Sequence, residues 1–295
     1  MRNCVAEWVR IASEQLTAAI NPFGAELSSL TDAQGRELMT DADPAFWTGR
    51  APLLFPVVGQ PAGGTIRVDG RSYPMEKHGF ARRSRFEIVA AEPARAVFAL
   101  RDDETTRAQY PFAFQLEVAF SIKAATLRTD VSIANTGDTS MPASFGFHPA
   151  FAWPLPGGGA REDHRILFDA DEPSPVKTIA VDGTIAAELR PSPLVHRELH
   201  LADALFERDA LIWDPVRSDR VTYGAPTGQR LEIACPDTTK LAIWTKPGAR
   251  FVCIEPWHGI ADPEGYAGEF RDKSGVFILP PGGTKRIGMK VTLVD

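Results

Sequence analysis

The sequence predicts an all-β protein of the sandwich or barrel kind, and three observations predict it. Apolar and polar residues alternate along several segments, the period of a strand with one buried face. Glycine and proline, 24 of each in 295 residues, are spread over the whole length and leave little room for long helices. Apolar residues make up 44% and charged residues 24%, the proportions of a folded chain with material for a real core. Residues 1–295 read as one domain, because strands of the same kind lie on both sides of the loop-like stretches 154–159 and 190–193.

The elements follow in chain order. Residues 43–47 read as a single helical turn, with Asp43 at the cap and Pro44 at the first helical position. Residues 96–100 form a short apolar strand. In residues 112–122 the alternation places Phe112, Phe114, Leu116, Val118, Phe120 and Ile122 on one face. Residues 127–133 alternate again and stop at Asn135-Thr136-Gly137-Asp138, a turn signal. Residues 203–206 read as a second short helical piece. Segments 241–245, 251–255 and 289–293 are further short strands, so helices are few and short.

Charge and cysteine usage exclude several function classes. A net charge of −6 argues against a nucleic-acid partner, which needs a basic face. No apolar run approaches the roughly 20 residues of a membrane span. Glu7 and Arg10 interrupt the start of the chain before any signal-type apolar segment develops. The three cysteines are scattered and match neither a disulfide framework nor a zinc pattern. These features lead to the expectation of a cytoplasmic protein with no membrane or nucleic-acid partner.

Four segments carry candidate chemistry. In residues 144–151 (SFGFHPAF), Ser144, Gly146 and His148 share a strand face, Gly146 leaves space beside the imidazole, and Pro149 ends the strand at His148. The competing reading is a hydrogen-bonded core histidine. In residues 251–259 (FVCIEPWHG), Val252 and Ile254 face one way and Phe251, Cys253 and Glu255 the other. A carboxylate ending such an apolar row is costly to bury unless it is paired or its pKa rises, and a raised pKa suits a general base. A salt bridge to a nearby arginine is the alternative. Residues 76–82 pack His78, Gly79 and Arg82 into one turn, either a binding turn or a solvated basic one. In residues 46–59, Arg50 is the single charge of a proline-rich apolar stretch and needs an acceptor, from protein or ligand. His196 and His200 are four residues apart, but the glutamate between them is misplaced for a zinc helix and two prolines precede them.

These four segments, in this order, resemble the aldose 1-epimerase (galactose mutarotase-like) family, in particular its LacX-type branch. The resemblance runs from Asn21-Pro22-Phe23-Gly24 to Leu279-Pro280-Pro281-Gly282. It implies a large antiparallel β-sandwich with a sugar in a groove across one sheet. It also implies that His148 is the general acid, Glu255 the general base, and His78 and Arg50 substrate contacts. The family has a sugar-binding aspartate between acid and base. Asp203 and Asp209 are both candidates here, and Asp209 is favoured because a strand-like run follows it directly. Trp47, Phe147 and Trp257 are candidates to cover an apolar sugar face, and Arg82 to contact substrate.

The implied reaction interconverts the α and β anomers of an aldohexose. Ring opening takes the proton from the anomeric hydroxyl and gives one to the ring oxygen, so one base and one acid suffice, with no metal or cofactor. Two further readings stay open. One is a non-catalytic sugar sensor on the same scaffold, and the other is a hexose-6-phosphate mutarotase that uses the basic residues near Arg82 for the phosphate.

Overall fold

The structure, a computed structural model, describes residues 8–294. Residues 1–7, which include Cys4 and most of the segment read for a signal peptide, lie outside the described residues. Strand accounts for 45% and helix for 7% of the chain, so the all-β expectation holds. The only α-helix among the described residues is Glu104–Arg107, a single turn in which the Asp103 carboxylate accepts from the Thr106 N–H at 2.8 Å. Residues 203–206 form a 3₁₀ turn. Residues 43–47 make the expected turn without becoming a helix: Phe46 and Trp47 donate to the Asp43 carbonyl, and Ala45 to its carboxylate.

Two large sheets face each other. One has nine strands and runs from Glu198–His200 at one edge to Glu87–Glu92 at the other, with Thr284–Val294, Thr126–Asn135 and Phe114–Lys123 side by side in it. In Phe114–Lys123 the predicted alternation is realised: Phe114, Leu116, Val118, Phe120 and Ile122 are buried and the residues between them are half-buried. The second sheet contains Leu211–Trp213, Lys240–Trp244, Phe251–His258, Phe145–Phe147 and Leu53–Leu54, with Ala150–Ala152 also paired to Phe251–His258. Every pairing within the two sheets is antiparallel. Val252, Ile254, Phe145, Phe147, Leu241 and Ile243 of the second sheet join the same core as the inward row of the first. Each such side chain contributes about 1.5–3 kcal/mol by leaving water.

The opposite face of the second sheet carries the site, and its register explains how. Phe251–His258 pairs with Ala150–Ala152 (Cys253 opposite Ala150) and with Phe145–Phe147 (Trp257 opposite Gly146) in one unbroken register. The break between those two short strands therefore sets His148 directly across from Glu255. Pro256 fits this break. Ile254 donates its N–H to the Pro149 carbonyl. Two residues on, Pro256 would point an N–H to the same side, where the neighbouring strand is interrupted, and it has none to place. Across the other edge of the strand, Ala242 lies opposite Glu255 and Trp244 opposite Cys253.

Candidate active site

A cavity of about 260 Å³ opens over this face, lined by Trp47, Lys77, His78, Arg82, His148, Asp209, Trp244, Lys246, Glu255 and Trp257, among others. His148 is 8% exposed and Glu255 1%. The imidazole Nε2 lies 3.1 Å from Glu255 Oε2. The indole of Trp47 stacks on the imidazole, with centroids 5.0 Å apart and planes at 29°, while Trp244 and His78 meet it edge-on at 5.8 and 5.6 Å. Gly49 makes room for this, since a Cβ there would come within 2.3 Å of the Trp47 ring.

Burial governs the protonation of the pair. It pushes the Glu255 carboxyl well above the usual carboxylate range; the charge of Asp209 adds to the effect, and Lys77 opposes it. Burial also pushes His148 down to about 3, with Lys77 and Arg82 acting in the same direction. Both effects favour neutral groups. The protonated carboxyl beside neutral imidazole is the same composition as a carboxylate–imidazolium pair with one proton moved across 3.1 Å. For the two groups taken together, burial thus favours the form that carries one proton.

His78 sits on a strained loop. Its φ is +68° and that of Gly79 is +70°. A Cβ on Gly79 would lie 2.2 Å from the Phe55 carbonyl, so only glycine fits there. The Gly59 N–H donates to His78 Nδ1 at 3.1 Å, and the His78 N–H donates to the Gly59 carbonyl at 2.9 Å. An accepting Nδ1 puts the proton of the neutral ring on Nε2, and burial together with the Lys77 and Arg82 charges keeps the ring neutral. Arg82 donates to the Lys77 carbonyl at 2.9 Å, and its Nε is buried without a partner. Asp209, at φ +67°, accepts from the Ala210 N–H at the head of the Leu211–Trp213 strand.

Four expectations need correction. Arg50 does not line the cavity: its guanidinium donates to the Thr40 carbonyl at 2.8 Å and lies 6.0 Å from the Trp8 ring, so its acceptor is a neighbouring loop. Asp203 is also absent from the lining and is held by Arg161 at 2.7 Å, leaving Asp209 as the aspartate in the cavity. Gly146 does not leave room for a ligand. A Cβ there would meet Trp257 Cδ1 at 2.6 Å, so its space is filled by the indole of the opposite strand. Phe147, considered as a sugar cover, turns into the core against Phe145. Lys77, Trp244 and Lys246 line the cavity and were not singled out from the sequence. Trp244 shares the alternating face of Ala242, but only the strand pairing reveals that this face is the one bearing Glu255.

The sequence profile described as Aldose 1-epimerase matches residues 7–275. The chain belongs to the aldose 1-epimerase family. Among curated relatives, the plasmid-encoded protein LacX of Lactococcus lactis subsp. lactis is 28% identical over 302 residues, covering 97% of this chain and 99% of that protein. Among solved structures, the galactose mutarotase related enzyme of Lactobacillus acidophilus is 30% identical with a TM-score of 0.89, covering 98% of this chain and 97% of that one. A galactose mutarotase-like protein of Lactobacillus casei has a TM-score of 0.90 at 26% identity, covering 97% and 100%. The galactose 1-epimerase of Lactobacillus acidophilus, 11% identical with a TM-score of 0.71 over 100% of this chain and 96% of that one, shares the fold.

Proposed function

We propose that this protein is an aldose 1-epimerase that interconverts the α and β anomers of an aldohexose bound in the cavity over the second sheet. The observation that carries the reading is the cross-strand opposition of His148 and Glu255, 3.1 Å apart and nearly buried, with aromatic rings around them. Opening the ring removes a proton from the anomeric hydroxyl and delivers one to the ring oxygen, and closure reverses this on the other face of C1. A unit carrying one proton matches that exchange, because the proton count on the protein is the same before and after. With sugar bound, Glu255 accepts from the anomeric hydroxyl and His148 donates to the ring oxygen. Each positioned transfer supplies about 10²–10⁴-fold.

The remaining lining residues serve as positioning groups in this reading. His78 presents an Nε2–H donor to a hydroxyl, Asp209 an acceptor, and Trp47, Trp244 or Trp257 an apolar ring face for the sugar. Arg50 is dropped from the substrate contacts and Asp203 gives way to Asp209. A cytoplasmic setting accords with the reading, since Cys235 and Cys253 are buried free thiols.

A second reading within the same chemistry is favoured by a specific observation. Lys77, Arg82 and Lys246 line the cavity, and among the described residues no ion pair engages them. An anionic hexose such as a 6-phosphate would supply the acceptors. The test is NMR or polarimetry on freshly dissolved single anomers of several hexoses and hexose 6-phosphates, against a buffer blank. Relaxation faster than the blank for one class identifies the substrate. Binding of sugars with no acceleration of any of them would replace the enzyme reading with that of a sensor.

A further inference from the structure

We propose that His148, Cys253 and Glu255 form a three-ligand site for a thiophilic divalent cation of the zinc type, and that occupancy shuts the protein off by taking both members of the proton-carrying pair. Cys253 plays no part in the sugar chemistry above. It is fully buried on the Phe251–His258 strand, two residues before Glu255 on the same face, and packs with Ala150, Phe251, Trp47 and Trp244. The donor atoms of His148, Cys253 and Glu255 all lie within 4.8 Å of one another. Tetrahedral zinc, with bonds of about 2.0–2.3 Å, holds its ligand atoms roughly 3.3–3.8 Å apart. Closing the set therefore takes side-chain shifts of about an ångström.

Two independent features point the set at a ligand. Glu255 Oε2 is buried, and apart from the imidazole Nε2 at 3.1 Å, itself a member of the set, it meets no hydrogen-bond donor. The pair also lines a cavity that opens to solvent, so an ion has a path in and a fourth position for water on the cavity side. One nitrogen, one sulfur and one carboxylate oxygen select a borderline-soft ion over magnesium or calcium, which take oxygen ligands. Binding displaces the thiol proton of Cys253 and the single proton of the pair, and both leave to solvent. No redox step is involved.

The test separates metal binding from the epimerase reading by using spectroscopy as well as activity. In a Cys4→Ser/Cys235→Ser protein, Cys253 is the one remaining thiol. Titration of this variant with Co²⁺ is expected to give one equivalent of a cobalt–thiolate charge-transfer band with intense tetrahedral d–d bands. Adding His148→Asn to that variant should abolish the tetrahedral spectrum, and so should adding Cys253→Ser. In the activity arm, Zn²⁺ should inhibit the wild type reversibly, with recovery on chelation, and Mg²⁺ should not. Cys253→Ser should keep its activity and lose zinc sensitivity by about tenfold or more. Absence of the cobalt–thiolate band, its persistence without His148, activation by zinc, or equal zinc inhibition of Cys253→Ser would each overturn the proposal. If Cys253→Ser fails to fold, the His148→Asn arm still decides.

Discussion

Burying His148 opposite Glu255 costs stability and sets the pH behaviour of both. The two groups titrate as one unit whose working form carries a single proton. Its acid limit is the addition of a second proton, and burial has pushed His148 down to about 3. The blank-corrected kcat/KM profile should therefore hold its plateau through about pH 5, well below the ordinary histidine value near 6.5. A midpoint at the ordinary value would contradict the burial argument. The carboxyl has a stability consequence of the opposite hand. Its folded-state pKa is raised above the unfolded one. The folded state therefore binds more protons than the unfolded state once the pH passes about 4.3, and stability falls as pH rises from there. Glu255→Gln removes that penalty, so the variant should gain on the wild type between about pH 4 and 7 in urea-unfolding midpoints, although its activity is lost. Asp209, whose charge adds to the raised pKa, was legible as one of two aspartates, but its selection over Asp203 needed the Arg161 pair. Arg50 shows how far a residue reading reaches. The need of a lone charge for an acceptor was legible, but the acceptor, a Thr40 carbonyl, has no signature in sequence.

At the scale of the strand, the alternation of residues 251–255 and 144–148 was enough to place Glu255 and His148 each on a defined face. Their opposition was not legible, because it depends on which strands pair and on a register that runs through the break at His148-Pro149. The same blindness produced the misreading of Gly146. A glycine beside a histidine looks like ligand space until the partner strand puts Trp257 against it. Gly146→Ala should therefore destabilise the protein by about 1–3 kcal/mol through overpacking. It should also slow turnover by displacing the Trp257 ring that lines the cavity. Unfolding midpoints and kcat measured together check this; an unchanged midpoint would show that the indole yields freely. Just past the Leu211–Trp213 strand of this sheet, Asp214 lies between Lys177 and Lys240, at 2.6 and 2.5 Å, which ties the segment leading to Ile179 and Gly183 at the cavity edge to the Lys240–Trp244 strand.

For the whole molecule, period-two patterning and the spread of glycine and proline sufficed for the fold class, because both are local consequences of a half-buried strand and a tight turn. Strand order was out of reach, since antiparallel strands far apart in sequence, such as Thr126–Asn135 and Thr284–Val294, pair through a core that no local pattern encodes. That core separates stability from chemistry. Phe98, fully buried and edge-on to Phe120 at 5.9 Å, lies in the nine-stranded sheet. Phe98→Ala should cost about 3–5 kcal/mol in chemical denaturation. The kcat of its folded fraction, measured at low temperature, should stay near that of the wild type. A large fall in kcat with the fold intact would show that the two sheets are mechanically coupled to the site.

The most direct test of the central claim is the rate of anomer exchange, measured by NMR on the sugar that the wild type accelerates, for wild type, Glu255→Gln and His148→Asn. Each variant should lose about 10²-fold or more in kcat while its sugar affinity stays within roughly tenfold, because proton transfer is a task of the transition state. Near-wild-type kcat in both variants would contradict the account.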